Sequence, residues 1–162
     1  MPGFAPTSST GLWGIVGSFV AASLPTLHPF TLFFANGHSE DARRIGTLSV
    51  VDLTKRTVTA TLDAKTFGAN RLKFTPDGKL VLISRLGDGD LVIYDAASRK
   101  EFKRTKIGHG AAGILMDRDG NRAFISCGPD NYVAVLDLNT LEVMSHIDVG
   151  GEPDGLAWAI RR

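Results

Sequence analysis

The chain has a single cysteine, Cys127, so no disulfide can form within it. Neither sign of charge is in excess. Lys and Arg number 18 against 17 Asp and Glu, a net charge of +1, which gives no electrostatic basis for binding nucleic acid or an anionic membrane. No Asp, Glu, Lys or Arg occurs before Glu40. No apolar run reaches the length of a comfortable membrane-spanning helix, since Gly11–Leu24 covers only 14 residues. There is no nucleophile elbow, phosphate-binding loop, dinucleotide fingerprint or zinc pair. His28, His38 and His146 share no metal-ligand spacing. No segment keeps a period of 3.6 over ten residues, which leaves Leu12–Leu24 as the one stretch open to helix. The sequence therefore assigns no catalytic residue, metal site or cofactor.

What is present is repetition. Residues 76–113 return 42 positions later without a gap. Asp77-Gly78 falls on Asp119-Gly120, Ile83-Ser84 on Ile125-Ser126, Asp95 on Asp137, and Gly113 on Gly155. A looser copy around Asp52 lies upstream. Asp-Gly pairs between apolar runs are hairpin signals, because glycine accepts a positive φ without steric cost. Thr57–Leu62 alternates strictly between side chain types, as a strand with two distinct faces does. Eighteen glycines and seven prolines suit a turn-rich chain. A strand-rich period near 40 marks a propeller array. The expected fold is all-β, with β-propeller blades of four antiparallel strands in an incomplete propeller.

The blades are expected at about 30–66, 67–108 and 109–150, with a further blade starting at 151–162. Residues 1–29 form an N-terminal apolar segment. Three readings of it stand: an export signal, a membrane anchor, or a degenerate strand or irregular N-terminus. Its length and Ala21-Ala22-Ser23 suit a cleaved signal, but no Lys or Arg precedes it. Export places the chain in the periplasm or outside the cell; a cytoplasmic location is not ruled out by the sequence.

VAVLDLNTLEVMSHIDVGGEPDGLAWA resembles the YVTN-repeat β-propeller family. Leu32–Asn36 and Leu48–Leu53 are similar to that family's second and third strands, and Val149–Gly155 to the link between blades, with Asp154 where histidine is usual. The resemblance runs from about Thr31 to Ala159. It implies the fold and leaves function open, because propellers of this kind include surface and periplasmic proteins as well as lactonases.

The blade count is low. The first unit shows no obvious first strand, and Gly155–Ala159 has the pattern of the missing one. The chain is then a piece of a longer propeller, a self-assembling half, or a compact monomer that forms no ring. Unknown small molecules or proteins, a second copy, or missing blades are the partners expected; nucleic acid is not.

In a propeller the loops entering the innermost strands ring one channel mouth. Their polar members here are Asn70, Arg71, His109, Glu152 and Asp154. His109 lies between glycines and carries an imidazole, a side chain that can ligate metal or move protons. Glu152 and Asp154 are expected to form a structural ion pair with Arg71. The function that suits these features is a non-enzymatic module for ligand or protein binding. The alternative is a propeller hydrolase such as a lactonase, which needs Arg71, His109, Glu152 and Asp154 in one pocket. Asp52, Asp95 and Asp137 are expected to fix turns, and Gly87–Asp90 to form an outer hairpin turn. Cys127 is expected to be structural.

Overall fold

The computed structural model describes residues 20–21, 31–36 and 45–159. Among these residues there is no helix, and three antiparallel sheets of four strands follow one another along the chain. Blade 1 contains β1 (Val20–Ala21), β2 (Thr31–Asn36), β3 (Ile45–Asp52) and β4 (Thr57–Phe67). Blade 2 contains β5 (Ala69–Phe74), β6 (Leu80–Arg85), β7 (Asp90–Asp95) and β8 (Glu101–Lys106). Blade 3 contains β9 (Ala111–Met116), β10 (Arg122–Cys127), β11 (Tyr132–Asp137) and β12 (Val143–Asp148). Each strand pairs with its neighbours in sequence, as a meander does.

The turns explain the regularity. Asp77 Oδ1 accepts bonds from Thr75 Oγ1 at 2.6 Å and Lys79 N at 3.0 Å, and Gly78 supplies the positive φ. One repeat later Asp119 Oδ1 accepts from Asn121 N and Gly120 takes the glycine's place. At the next turn Asp52, Asp95 and Asp137 bind the backbone N–H groups that follow them, as expected: Thr54 and Lys55, Ser98, and Asn139 and Thr140. An aspartate that satisfies turn amides is the local alternative to continuing the ladder.

Strand alternation sends the two side-chain sets of blade 2 in opposite directions. Val81, Ile83, Val92 and Tyr94 pack against Leu48 and Val50 of blade 1. Leu82, Leu91 and Ile93 pack against Ala123, Ile125, Ala134 and Leu136 of blade 3. Both faces of a central blade are thus dry. Polar contacts also cross the interfaces: Tyr94 OH donates to Asp63 O at 3.2 Å, and Thr105 Oγ1 to Leu141 O at 2.9 Å.

Two expectations are corrected. The first unit does have an innermost strand, because Val20–Ala21 pairs with Leu32 and Phe33. Two residues inside an apolar stretch carry no period to read. Gly155–Ala159 in turn forms no strand and does not complete blade 1; it lies against blade 3, where Trp158 Nε1 donates to Met116 O at 2.8 Å. The rest of the N-terminal apolar segment lies outside the described residues. β5 and β9 begin at Ala69 and Ala111, inside the links, because the small link residues already pair with Arg85 and Cys127.

Candidate functional site: the groove at the blade ends

Two buried serines organise the end of the blades where the links enter the innermost strands. Ser84 Oγ donates to Ala112 O at 2.6 Å and accepts from Arg71 N at 3.2 Å. Ser126, one repeat later, donates to Asp154 O at 2.5 Å and accepts from Gly113 N at 2.7 Å. Each serine on a second strand therefore ties its own innermost strand to the link of the following blade. Gly113 is needed for this approach: a Cβ there would lie 2.2 Å from the Asp154 carbonyl oxygen.

The three links, held this way, border an open groove of about 550 Å³. Asn70 and Arg71 line it from blade 2, and Glu152 and Asp154 from the chain after blade 3. Leu86, Pro129 and Pro153 supply apolar wall. Arg71 Nη1 donates to Asn70 Oδ1 at 3.2 Å. The expected ion pair is not formed. Among the described residues, none of the salt bridges includes Arg71, Glu152 or Asp154. The groove thus presents a guanidinium, an amide and two carboxylates that do not neutralise one another.

Glu152 has a φ of +50°, in the left-handed region, which four other non-glycine residues, Arg56, Arg99, Asn131 and Leu141, also occupy; Glu152 differs from them in standing where the other links have glycine. The equivalent positions, 42 and 84 residues earlier, are Gly110 and Gly68, with φ of +59° and +70°. The fold asks for a left-handed residue at each link, and two of three links answer with glycine. A non-glycine residue in this region costs about 1–2 kcal/mol. The link is steadied by Asn131 Oδ1, which accepts from Glu152 N at 3.0 Å. This feature was visible in the repeat alignment as a glycine column broken by Glu152, although the sign of φ was not.

His109 is not among the groove's lining residues. Its Nδ1 lies 2.9 Å from Asp130 Oδ1, and its backbone N–H donates to Asp130 Oδ2 at 2.6 Å. Those bonds hold the Asp130 carboxyl below the usual carboxylate range, the backbone bond most of all. The groove therefore gathers Asn70, Arg71, Glu152 and Asp154, while the histidine needed for the four-residue hydrolase arrangement is engaged elsewhere. Cys127 is buried beneath this region, with its thiol against Ile107 O at 3.6 Å. Burial pushes the thiol up to about 11, which keeps it protonated and unreactive at neutral pH. Among the described residues, no three His, Cys, Asp or Glu side chains are grouped to hold a metal ion. No described helix is long and apolar enough to cross a membrane.

No family model matches the sequence, and no curated protein matches it. Solved structures do. A chain of Kuenenia stuttgartiensis hydrazine synthase superposes with a TM-score of 0.66 at 22% identity, over 88% of this chain and 42% of that one. The present chain thus spans less than half the length of that propeller-containing neighbour. A likeness at this identity speaks for architecture and not for chemistry. With the three four-stranded sheets, it places the chain in the all-β, propeller-like fold class as a partial array of blades.

Proposed function

We propose that this propeller-like module, with blades of the YVTN type, is a non-enzymatic binding module. Its ligand is a small polar molecule seated in the groove between Asn70, Arg71, Glu152 and Asp154. The observation that carries the reading is Glu152. A side chain kept where the backbone prefers glycine is a departure that concentrates at ligand sites, where strain is held for a functional group. Two carboxylates opposite one guanidinium favour a ligand with hydrogen-bond donors or positive charge together with an acceptor for Arg71. Apolar wall beside a few convergent polar groups is the usual make-up of such a site. The four-residue hydrolase arrangement also required His109, which is bound to Asp130 outside the groove lining.

The test is Glu152→Gly. Removing the side chain is expected to raise unfolding stability by about 1 kcal/mol, through relief of the left-handed strain. The same change is expected to abolish the thermal shift given to the parent chain by the best of a panel of amino acids, polyamines and amino sugars. A variant no more stable than its parent, or one that keeps the full shift, overturns the reading.

A further inference from the structure

The three links bordering the groove are successive copies of one repeat, and they differ in charge. Asn70, Ala112 and Asp154 are spaced by 42 residues, and all three line the groove. Gly110 and Glu152 line it from a second shared position. Arg71 stands where the middle link has Gly113. The first link thus brings an amide and a guanidinium, the middle link no charge, and the last link two carboxylates. The middle link is held to small residues by sterics. A Cβ at Gly110 would lie 2.5 Å from Pro129 Cδ, and one at Gly113 would lie 2.2 Å from the Asp154 carbonyl oxygen. Each charged end is fixed through its backbone and keeps bonding capacity. Arg71 N donates to Ser84 Oγ, and its Nη1 donates to Asn70 Oδ1. Among the described residues, this leaves Arg71 Nε and Nη2 and the Asn70 amide N–H groups as donors for an anion. At the other end Ser126 holds the Asp154 carbonyl and Asn131 the Glu152 N–H, so neither carboxylate is used. Between the ends Leu86, 50% exposed, offers apolar surface.

We propose that the groove takes an ω-amino carboxylate, with its carboxylate on Arg71 and Asn70, its aliphatic chain across the uncharged middle link, and its ammonium at Glu152 and Asp154. This assignment rests on the groove being a binding site and names the class of molecule it selects. A guanidinium with free Nε and Nη2 edges matches the two oxygens of a carboxylate. An ammonium has three donors, enough for both acids at once. Arg71 forms no ion pair with either acid, so the two ends of the ligand must stand apart as the two ends of the groove do. An α-amino acid, with both charges on one carbon, does not meet that requirement. A polyamine leaves Arg71 without an acceptor. An aliphatic chain between the charges covers the Leu86 side chain, which a uniformly polar ligand leaves wet.

Isothermal titration calorimetry of the parent chain tests this with glycine, γ-aminobutyrate and ε-aminocaproate. Affinity is expected to rise along that series as the charges move apart. Hexylamine and caproate, which each lack one charge of ε-aminocaproate, are expected to bind about tenfold more weakly, the scale of one lost charge-assisted bond. Arg71→Gln is expected to make ε-aminocaproate no better a ligand than hexylamine. Asp154→Asn is expected to narrow its advantage over caproate. The comparison of ligands on the parent chain stands without any variant. Glycine binding as tightly as ε-aminocaproate overturns the assignment, and so does hexylamine or caproate matching it. A chain that binds no ω-amino acid, yet gives a Glu152-dependent thermal shift with another small polar molecule, overturns the ligand class and leaves the groove as a binding site. An ω-amino acid bound equally well by the parent, Arg71→Gln and Glu152→Gly chains sits outside the groove, which overturns the ligand class and the site together.

Discussion

Ser126 shows how one side chain can set the geometry of the groove. Its hydroxyl is buried and serves two backbone groups at once, the Gly113 N–H and the Asp154 C=O. Ser126→Ala leaves the buried Gly113 N–H and the part-buried Asp154 C=O without this partner. A buried polar group without a partner costs about 1–3 kcal/mol, so the variant is expected to lose stability in that range. The loss should be local in character. Faster amide exchange is expected across 152–158, the segment that Ser126 tethers, with little change around Leu82 and Ile93. Uniform loss of protection across all three blades would show that the hydroxyl supports the fold as a whole and not the link. The parallel bond of Ser84 to Ala112 O gives an internal control, because that link is already enclosed between two blades.

At the scale of strands, burial on both faces makes the central blade the mechanical middle of the chain. Ile83 and Ile125 occupy the same repeat position and are fully buried. Truncation of either to Ala is expected to cost about 2–5 kcal/mol, from lost transfer energy and the cavity left behind. Phe102→Ala, at an exposed position of β8, should stay within about 0.5 kcal/mol. Chemical denaturation of the three variants checks both statements, and equal losses at positions 83 and 102 would contradict the two-faced packing. These strands were legible in the sequence because Asp-Gly turns and alternating apolar residues set their ends and faces. Four of the five residues assigned to the channel mouth line one groove for the same reason: the repeat fixes which loop enters which strand. β1 was not legible, since two residues carry no alternation. The placement of His109 was not legible either, because its partner Asp130 lies 21 residues away and the contact depends on how two links fold toward each other. The exchange of Glu152 for glycine could be read as a pattern, but its strain could not, since φ is set by the turn and not by the residue.

For the whole molecule, the repeated aspartates tie stability to pH in a predictable direction. Asp77, Asp95, Asp119, Asp130 and Asp137 all have carboxyls held below the ordinary value of 3.8. The cause is hydrogen bonding to the charged form. Thr75 Oγ1 leads for Asp77, the Ser98 side chain for Asp95, and backbone N–H groups lead for Asp119, Asp130 and Asp137. A carboxyl with a depressed folded-state pKa stabilises the fold fully above its unfolded pKa, and that contribution disappears as pH falls through the folded value. The melting temperature is therefore expected to be flat from pH 7 to about 5 and to fall steeply below about 4. These residues sit at turns in blades 2 and 3, so the acid response should be one cooperative transition and not the loss of a single blade. Asp95→Asn/Asp137→Asn separates this cause from general charge repulsion. The amide oxygen still accepts bonds but does not titrate, so the variant should melt lower than the parent at pH 7 and lose less on acidification to pH 3. Calorimetric scans across that range decide the matter. A variant as acid-sensitive as its parent would assign the response to net charge, leaving the turn carboxylates as passive geometry.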